Sequence, residues 1–239
     1  MSKAKTETET KPAVEKGKAR EVLFFELEYV AVNGRQIMFD VLKQVMKSKD
    51  IDVTPALFAR CGLTPRPGKA IQSMIEASGR NLTTGDQLTE QAETLIVKAF
   101  ADKVVLNKDL AAIIRAAQER NIQVVALSAW PDVAAKELMK KTGLDGMGVD
   151  LVAMDSTDPI FPRADHWLRI LKQRGQEEIP AIAIVASRAA CKGALTAGAT
   201  CIALPDAYTA FEDFTGAKVV LDTLGDLSAK ELFELVSRR

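Results

Sequence analysis

The sequence predicts an α/β protein in which a doubly wound, parallel, Rossmann-like sheet core carries an inserted all-helical cap domain. Two observations predict this fold. Short apolar segments alternate with helical segments through the second half of the chain, as in parallel sheets covered on both faces. One similar segment, 22–27, lies near the start and is followed by about seventy residues of purely helical pattern. One strand therefore precedes the helical insertion, and the other α/β units follow it.

The composition limits the classes of function. The chain has 239 residues and is 47% apolar, which is enough to bury a sizeable core. Basic and acidic residues both number 32, and residues 1–20 hold six basic and three acidic side chains, so the remainder is mildly acidic. This balance argues against nucleic acid or a membrane surface as a partner.

Three further features bear on organisation and location. Residues 1–20 have almost no apolar side chains and are predicted to form a flexible tail. The cysteines Cys61, Cys191 and Cys201 are odd in number and predict buried thiols in a reducing compartment. No apolar stretch is long enough to span a membrane. Together these features predict a cytoplasmic protein.

The helical cap is predicted over residues 35–103, which leaves 21–34 and 104–239 for the core. Its first helix is marked by apolar residues at helical spacing, namely Ile37, Val41, Leu42 and Val45. Its second begins with Thr54 as N-cap and Pro55 at the first helical position. Two more helices are predicted over 69–78 and 84–101.

The second half of the chain alternates strands and helices. The predicted strands are 122–128, 149–154, 181–186, 201–204 and 218–221. The predicted helices are 109–121, 131–142, 165–174, 189–197 and 228–239. Gly198 is predicted to cap the fourth of these helices and Ser228 to begin the last.

Two glutamates lie at the end of the first predicted strand. Side chains alternate along a strand, so Glu26 and Glu28 are expected to point the same way just past its carboxyl end. In open α/β sheets this crevice is where ligands bind. Two interpretations remain open: the pair belongs to a functional site, or it consists of solvated acids without a role.

The order and spacing of these segments, from 21 to 239, resemble the haloacid dehalogenase-like superfamily, in particular its phosphoglycolate phosphatase and β-phosphoglucomutase branch. In active members of that family the first strand ends in an Asp-x-Asp pair, a nucleophile followed by a general acid/base. Glu26 and Glu28 occupy these positions, and Tyr29 stands where a glycine is usual. The resemblance thus implies that the two glutamates are degenerate catalytic positions.

The other family motifs are partly retained. Ser128 fits the Thr or Ser that binds the transferred phosphoryl group, and capping of the following helix is an equally supported interpretation. Phe161 stands at the position of the family lysine, ahead of the retained Pro162 and Asp165. Ala186 replaces the metal-binding Asp, and the adjacent Ser187 is retained.

These replacements remove the elements that handle charge in phosphoryl transfer. Ala186 has no side-chain oxygen for Mg²⁺, and Phe161 has no cation to offset phosphate. Glu26 is one methylene longer than Asp, a shift of about 1 Å that alone can lower a rate by ~10²-fold. The resemblance therefore predicts a pseudo-phosphatase that binds a protein partner or a small phosphorylated ligand. No cofactor and no metal ligands are expected.

The alternative function is a slow or atypical phosphatase of a small phosphorylated metabolite that uses Glu26, and only this alternative involves Mg²⁺. His166, the single histidine, is expected at a surface position at the start of a helix beside Trp167. The basic residues nearby are expected to be solvated: Arg163, Arg188 and Lys192. The polar segment 155–158 is expected to be an ordinary loop.

Overall fold

The fold is described from a computed structural model, which covers residues 21–80, 85–154, 161–173 and 180–237. Its strands are β1 (Glu21–Glu26), β2 (Ile122–Ser128), β3 (Asp150–Ala153), β4 (Ala181–Val185), β5 (Thr200–Ala203) and β6 (Val219–Val220). They form one sheet in the order β3-β2-β1-β4-β5-β6, and every pairing is parallel. The predicted doubly wound parallel sheet is confirmed. The predicted tail at 1–20 and the loop at 155–158 lie outside the described residues.

Five α-helices lie between β1 and β2 in the described residues, and the first four are called the cap helices here: α1 (Gly34–Lys47), α2 (Pro55–Cys61), α3 (Pro67–Ala77) and α4 (Gly85–Lys103). The remaining helices are α5 (Lys108–Glu119), α6 (Asp132–Thr142), α7 (Ala164–Gln173), α8 (Arg188–Thr196) and α9 (Ala229–Ser237). The predicted helices are all present among these, with ends shifted by a few residues. Thr54 caps α2 as predicted, since its hydroxyl oxygen accepts a hydrogen bond from Leu57 N at 3.2 Å.

The segment after β1 differs from the prediction. Leu27–Ala31 forms a single π-helical turn, so Glu28 does not lie on an extended strand. The chain leaves the sheet after this turn. An isolated antiparallel bridge between Val32 and Leu106 marks the two ends of the helical insertion. An all-helical insertion is therefore confirmed. The division into a core and a cap domain at residues 35 and 103 stays a prediction.

The sheet is covered on both faces, as its apolar strands require. Leu23 and Phe25 pack into a cluster that includes residues of α5, α6 and the cap helices. Val22 and Phe24 point to the opposite face and pack with α7 and α8. There the ring of Phe24 meets Trp167 edge-on, with 5.5 Å between centroids.

Aromatic contacts join the cap helices to the loops that follow the strands. The ring of Tyr208, in the loop after β5, lies 5.2 Å from Phe39 of α1 and 4.8 Å from Phe58 of α2, measured between centroids. Its hydroxyl donates to Gln36 Oε1 at 2.8 Å. Trp130, after β2, meets the ring of α4 residue Phe100 at 4.5 Å. The cap helices are therefore packed against both sides of the crevice mouth.

Two other expectations concern burial. Cys191 and Cys201 are free buried thiols as predicted, with their sulfurs 3.0 Å apart, and Cys61 is partly buried. Within the described ranges, no helix has both the length and the apolar character needed to cross a membrane.

Candidate functional site

The candidate site lies at the carboxyl ends of the three central strands. Glu26, the last residue of β1, pairs in register with Leu127, so Ser128 at the end of β2 lies beside it. On the other side β4 ends at Val185, and Ala186 follows directly. Because parallel strands end at the same edge of a sheet, the structure brings together the residues that the sequence placed at separate motifs.

Glu26 is bound to the backbone of the neighbouring strand. Its Oε2 accepts a hydrogen bond from Ala186 N at 2.6 Å, and only 2% of the residue is exposed. Burial raises the pKa of Glu26 to about 7, although Arg35 and the hydrogen bond from Ala186 act in the opposite direction. Its carboxyl group is thus partly protonated near neutral pH and points into the protein.

Glu28 lies within the π-helical turn and is bound to the end of β2. Its Oε1 accepts a short hydrogen bond from Ser128 Oγ, and the residue is 2% exposed. Burial raises the pKa of Glu28 to about 7 against the effect of this hydrogen bond. Ser128 Oγ also accepts from Trp130 N at 3.0 Å. Capping of α6 by Ser128 is not observed, because the N-cap of α6 is Pro131.

An arginine that sequence analysis did not single out lies at the centre of the site. Arg35 Nη1, from the first turn of α1, donates to Ala186 O at 3.0 Å and to Asp206 Oδ2 at 2.8 Å. The guanidinium carbon lies 4.2 Å from the ring centroid of Tyr29, and the arginine is only 6% exposed. Thr209 Oγ1 donates to the same carbonyl of Ala186 at 2.9 Å. A cap helix and two loops of the sheet therefore share one polar network.

The remaining motif positions have structural partners. Phe161 is buried, and its ring centroid lies 5.0 Å from that of His166. The expected surface position of His166 is wrong: the residue is buried, and its Nδ1 accepts from Arg163 N at 3.0 Å. Asp165 remains at the surface, where its carboxylate pairs with Arg163 Nε at 3.1 Å. Ser187 is the N-cap of α8 and accepts from Ala190 N at 3.3 Å.

The three basic residues expected to be solvated are exposed, namely Arg163, Arg188 and Lys192. Lys192 pairs with Asp213 across 3.6 Å at the surface. The backbone N of Arg188 donates to Glu212 Oε2 at 2.7 Å.

A cavity of about 250 Å³ lies between the cap helices and the sheet. It is lined by Tyr29, Arg35, Ala59, Leu63, Pro65, Phe161, Ser187, Ala189 and Glu212. The predicted site residues Glu26, Glu28 and Ser128 are not on its wall. The volume is just below the ~300–1,000 Å³ typical of small-molecule sites.

Comparison with known proteins identifies the fold. No protein-family profile matches the sequence, and no curated protein matches it significantly. A β-phosphoglucomutase from Clostridium difficile is 12% identical with a TM-score of 0.73, over 90% of this chain and 96% of that one. A predicted phosphoglycolate phosphatase from Haemophilus somnus is 11% identical with a TM-score of 0.72, over 90% and 97%. A conserved haloacid dehalogenase-like protein from Agrobacterium tumefaciens is 16% identical with a TM-score of 0.70, over 89% and 98%.

The chain has the haloacid dehalogenase-like fold. This confirms the resemblance seen in the sequence at the level of fold, and the neighbours include both enzymes of the expected branch. A shared fold does not transfer an activity, which depends on the residues of the site.

The Mg²⁺ ion that the resemblance implies does not fit the residues present at this site. Mg²⁺ requires near-octahedral oxygen ligands. Ala186 has no side-chain oxygen, and its carbonyl already accepts from Arg35 and Thr209. Glu26 is bound to the amide of Ala186. In the ranges that the structure covers, no three His, Cys, Asp or Glu side chains are grouped to hold a metal ion.

Proposed function

We propose that this protein is a catalytically impaired relative of the phosphatases that share its fold, and that it acts by binding a small ligand or a protein partner. One observation carries the proposal. The cavity that corresponds to a substrate crevice is lined by Tyr29 and Arg35, whereas Glu26, Glu28 and Ser128 are buried and hydrogen-bonded elsewhere.

The chemistry of phosphoryl transfer supports this proposal. An attacking carboxylate must be ionised and must reach phosphorus in line, while a cation neutralises the developing charge. Glu26 is partly protonated near pH 7, and one of its oxygens is bound to Ala186 N. The lysine position holds the buried Phe161. Each missing element normally supplies several kcal/mol of transition-state stabilisation.

The cavity itself supports a small ligand as the bound molecule. Its wall combines apolar side chains with the guanidinium of Arg35 and the hydroxyl of Ser187. These two polar groups can donate hydrogen bonds to phosphate oxygens. The carboxylate of Glu212 on the same wall would repel a ligand with a high negative charge. A small phosphorylated metabolite that is bound without turnover is the ligand we propose. The alternative within the same proposal is a protein partner that binds at the mouth of the crevice.

The decisive experiment measures hydrolysis of a panel of small phosphomonoesters in the presence of Mg²⁺. Wild-type protein, Glu26→Ala and the fourfold variant E26D/E28D/F161K/A186D are compared, with circular dichroism as a check of folding. We expect wild type to stay at background and to equal Glu26→Ala. An ordinary enzymatic rate in wild type that disappears in Glu26→Ala would overturn the proposal and make Glu26 a genuine catalytic residue.

A slow or atypical phosphatase that uses Glu26 is the second candidate, and one observation favours it. A buried carboxyl group with a pKa of about 7 is suited to proton transfer near neutral pH. This candidate requires a rate that follows the titration of Glu26 and falls in Glu26→Gln. A pH–rate profile without such a dependence excludes it.

A further inference from the structure

The positive charge in the polar network of the candidate site is the guanidinium of Arg35. Arg35 is 6% exposed, and its Nη1 donates to one main-chain oxygen and one carboxylate oxygen, at 3.0 Å from Ala186 O and 2.8 Å from Asp206 Oδ2. Oxygens that converge on one point in this way are the ligands that hard metal cations prefer. A guanidinium nitrogen therefore occupies a position suited to a cation.

Two acidic groups around this point interact with the positive charge. Asp206 forms the ion pair with Arg35, and the buried Glu26 is electrostatically attracted to the same guanidinium. The Asp206 side chain keeps about a third of its surface exposed, and Arg35 opposes the rise that burial causes in the pKa of Glu26, so the guanidinium offsets negative charge on both acids. Thr209 completes the cluster, since its Oγ1 lies 2.9 Å from Ala186 O and accepts from Asp206 N at 3.0 Å.

We propose that Arg35 is a tethered cation that takes the place of a dissociable metal ion, and that its removal uncovers a divalent-cation site. The ligands of this site are Ala186 O, which loses its hydrogen bond from Arg35 in that variant, and the carboxylate of Asp206, with Glu26 as a nearby acid. In the wild-type protein the charge balance of the crevice is therefore independent of metal ions. The inference concerns charge compensation and holds whether or not Glu26 retains any hydrolytic activity.

The geometry favours Ca²⁺ as the probe. Ca²⁺ accepts oxygen ligands at ~2.3–2.6 Å in flexible arrangements, whereas Mg²⁺ demands ~2.0–2.1 Å and near-octahedral order. The two oxygens now lie 2.8 and 3.0 Å from Arg35 Nη1, so Ca²⁺ requires the smaller contraction. Arg35→Ala is expected to bind Ca²⁺ more tightly than Mg²⁺.

The test compares wild type, Arg35→Lys, Arg35→Ala and the double variant R35A/D206N. Thermal unfolding and calorimetric titration are measured with CaCl₂ and with NaCl at equal ionic strength. Arg35→Ala is expected to unfold at a lower temperature than wild type, to regain stability with Ca²⁺ only, and to bind it at one site. Wild type and Arg35→Lys, which keep the charge, are expected not to respond. Loss of Asp206 is expected to weaken binding by at least about tenfold.

For a folded Arg35→Ala variant, two results would overturn the inference. One is a response of Arg35→Ala to Ca²⁺ no larger than its response to NaCl. The other is binding of Ca²⁺ by wild type with the same affinity as by Arg35→Ala. Should Arg35→Ala not fold in the absence of Ca²⁺, its refolding yields with Ca²⁺ and with NaCl are compared, and equal yields contradict the inference.

Discussion

The carboxylate of Glu26 accepts a hydrogen bond of 2.6 Å from the backbone N of Ala186. The sequence resemblance aligns the first of these residues with a nucleophile and the second with a metal ligand, and here the two are bound to each other. The longer side chain of Glu reaches across to the next strand, where it meets an amide instead of a metal ion. Both positions are buried, and their contacts stabilise the protein without requiring a substrate.

The stability of the protein is expected to depend on the protonation of Glu28. Its pKa is about 7 in the folded state and 4.5 when unperturbed, so folding is favoured when the group is protonated. This contribution is fully present below about pH 4.5 and is lost as the pH rises through 7. One pKa unit corresponds to ~1.4 kcal/mol, which places the loss on the order of 3 kcal/mol. Glu28→Gln is expected to remove this dependence and to unfold at higher denaturant concentration than wild type at pH 8.

Denaturant unfolding of wild type and Glu28→Gln at pH 5 and pH 8 measures this effect. The amide oxygen of Gln can still accept from Ser128, so the hydrogen bond is retained and only the ionisation is removed. If the difference in free energy of unfolding between wild type and Glu28→Gln is the same at pH 5 and pH 8, the raised pKa of Glu28 is contradicted. Wild type and Glu28→Gln have the same carboxyl groups elsewhere in the chain, so the contributions of those groups cancel in the difference between the two free energies of unfolding.

Ser128→Ala is expected to lower the free energy of unfolding by about 1–3 kcal/mol, since it removes one hydrogen bond from the buried carboxyl of Glu28 and another from the amide of Trp130. Ser187→Ala is the matched control. That serine caps only α8, and its loss costs ~1 kcal/mol. Chemical denaturation of both variants at one pH gives the comparison, and equal losses would show that the Glu28–Ser128 contact adds nothing beyond a cap.

Gly34→Ala is expected to destabilise the protein by ~1–3 kcal/mol, because a Cβ at this position would lie 2.2 Å from the backbone oxygen of Glu28. The first turn of α1, and with it Arg35, would have to move. Gly85→Ala, at the first position of α4, is the control. Its Cβ would meet its nearest neighbour, the end of the Gln72 side chain, at 3.7 Å, so little change in stability is expected. Thermal unfolding of the two variants tests whether close approach at Gly34 holds α1 in place.

Ala186→Asp alone is expected to be destabilising, by at least ~3 kcal/mol, and not to restore hydrolysis. The new carboxylate would be buried beside Glu26 and Asp206, where Arg35 is the one cation that the described contacts place in the network. Unfolding experiments and a phosphomonoester assay on the same preparation measure both effects. A gain of Mg²⁺-dependent turnover by this single change would show that the crevice is still arranged for catalysis.

The sequence predicts the fold and the place of the site because both follow from local pattern. Strand ends in a parallel sheet lie at one edge, so Glu26, Ser128 and Ala186 could be grouped before their distances were known. The helix periods of the insertion and the Thr54–Pro55 start of α2 are equally local signals. The conformation of 27–31 was missed because an apolar run does not distinguish a strand from a single π-helical turn.

The residues that determine the chemistry of the site were harder to find. Arg35 and Asp206 are 171 positions apart in the chain, and an arginine in the first turn of a helix is ordinarily solvated. The identity of its partner depends on how the cap helices pack against the loops after β4 and β5, which no local pattern specifies. His166 was misplaced for the same reason: its burial depends on contacts with Phe161 and with the amide of Arg163.

The position of Tyr208 between Phe39 and Phe58 has a consequence for how the molecule unfolds. The ring joins a loop of the sheet to two helices of the insertion, and its hydroxyl adds a hydrogen bond to Gln36. Opening the insertion as a separate unit would expose all three rings to water at once. Backbone amides of α1 should therefore exchange with deuterium as slowly as those of the central strands, in one cooperative transition.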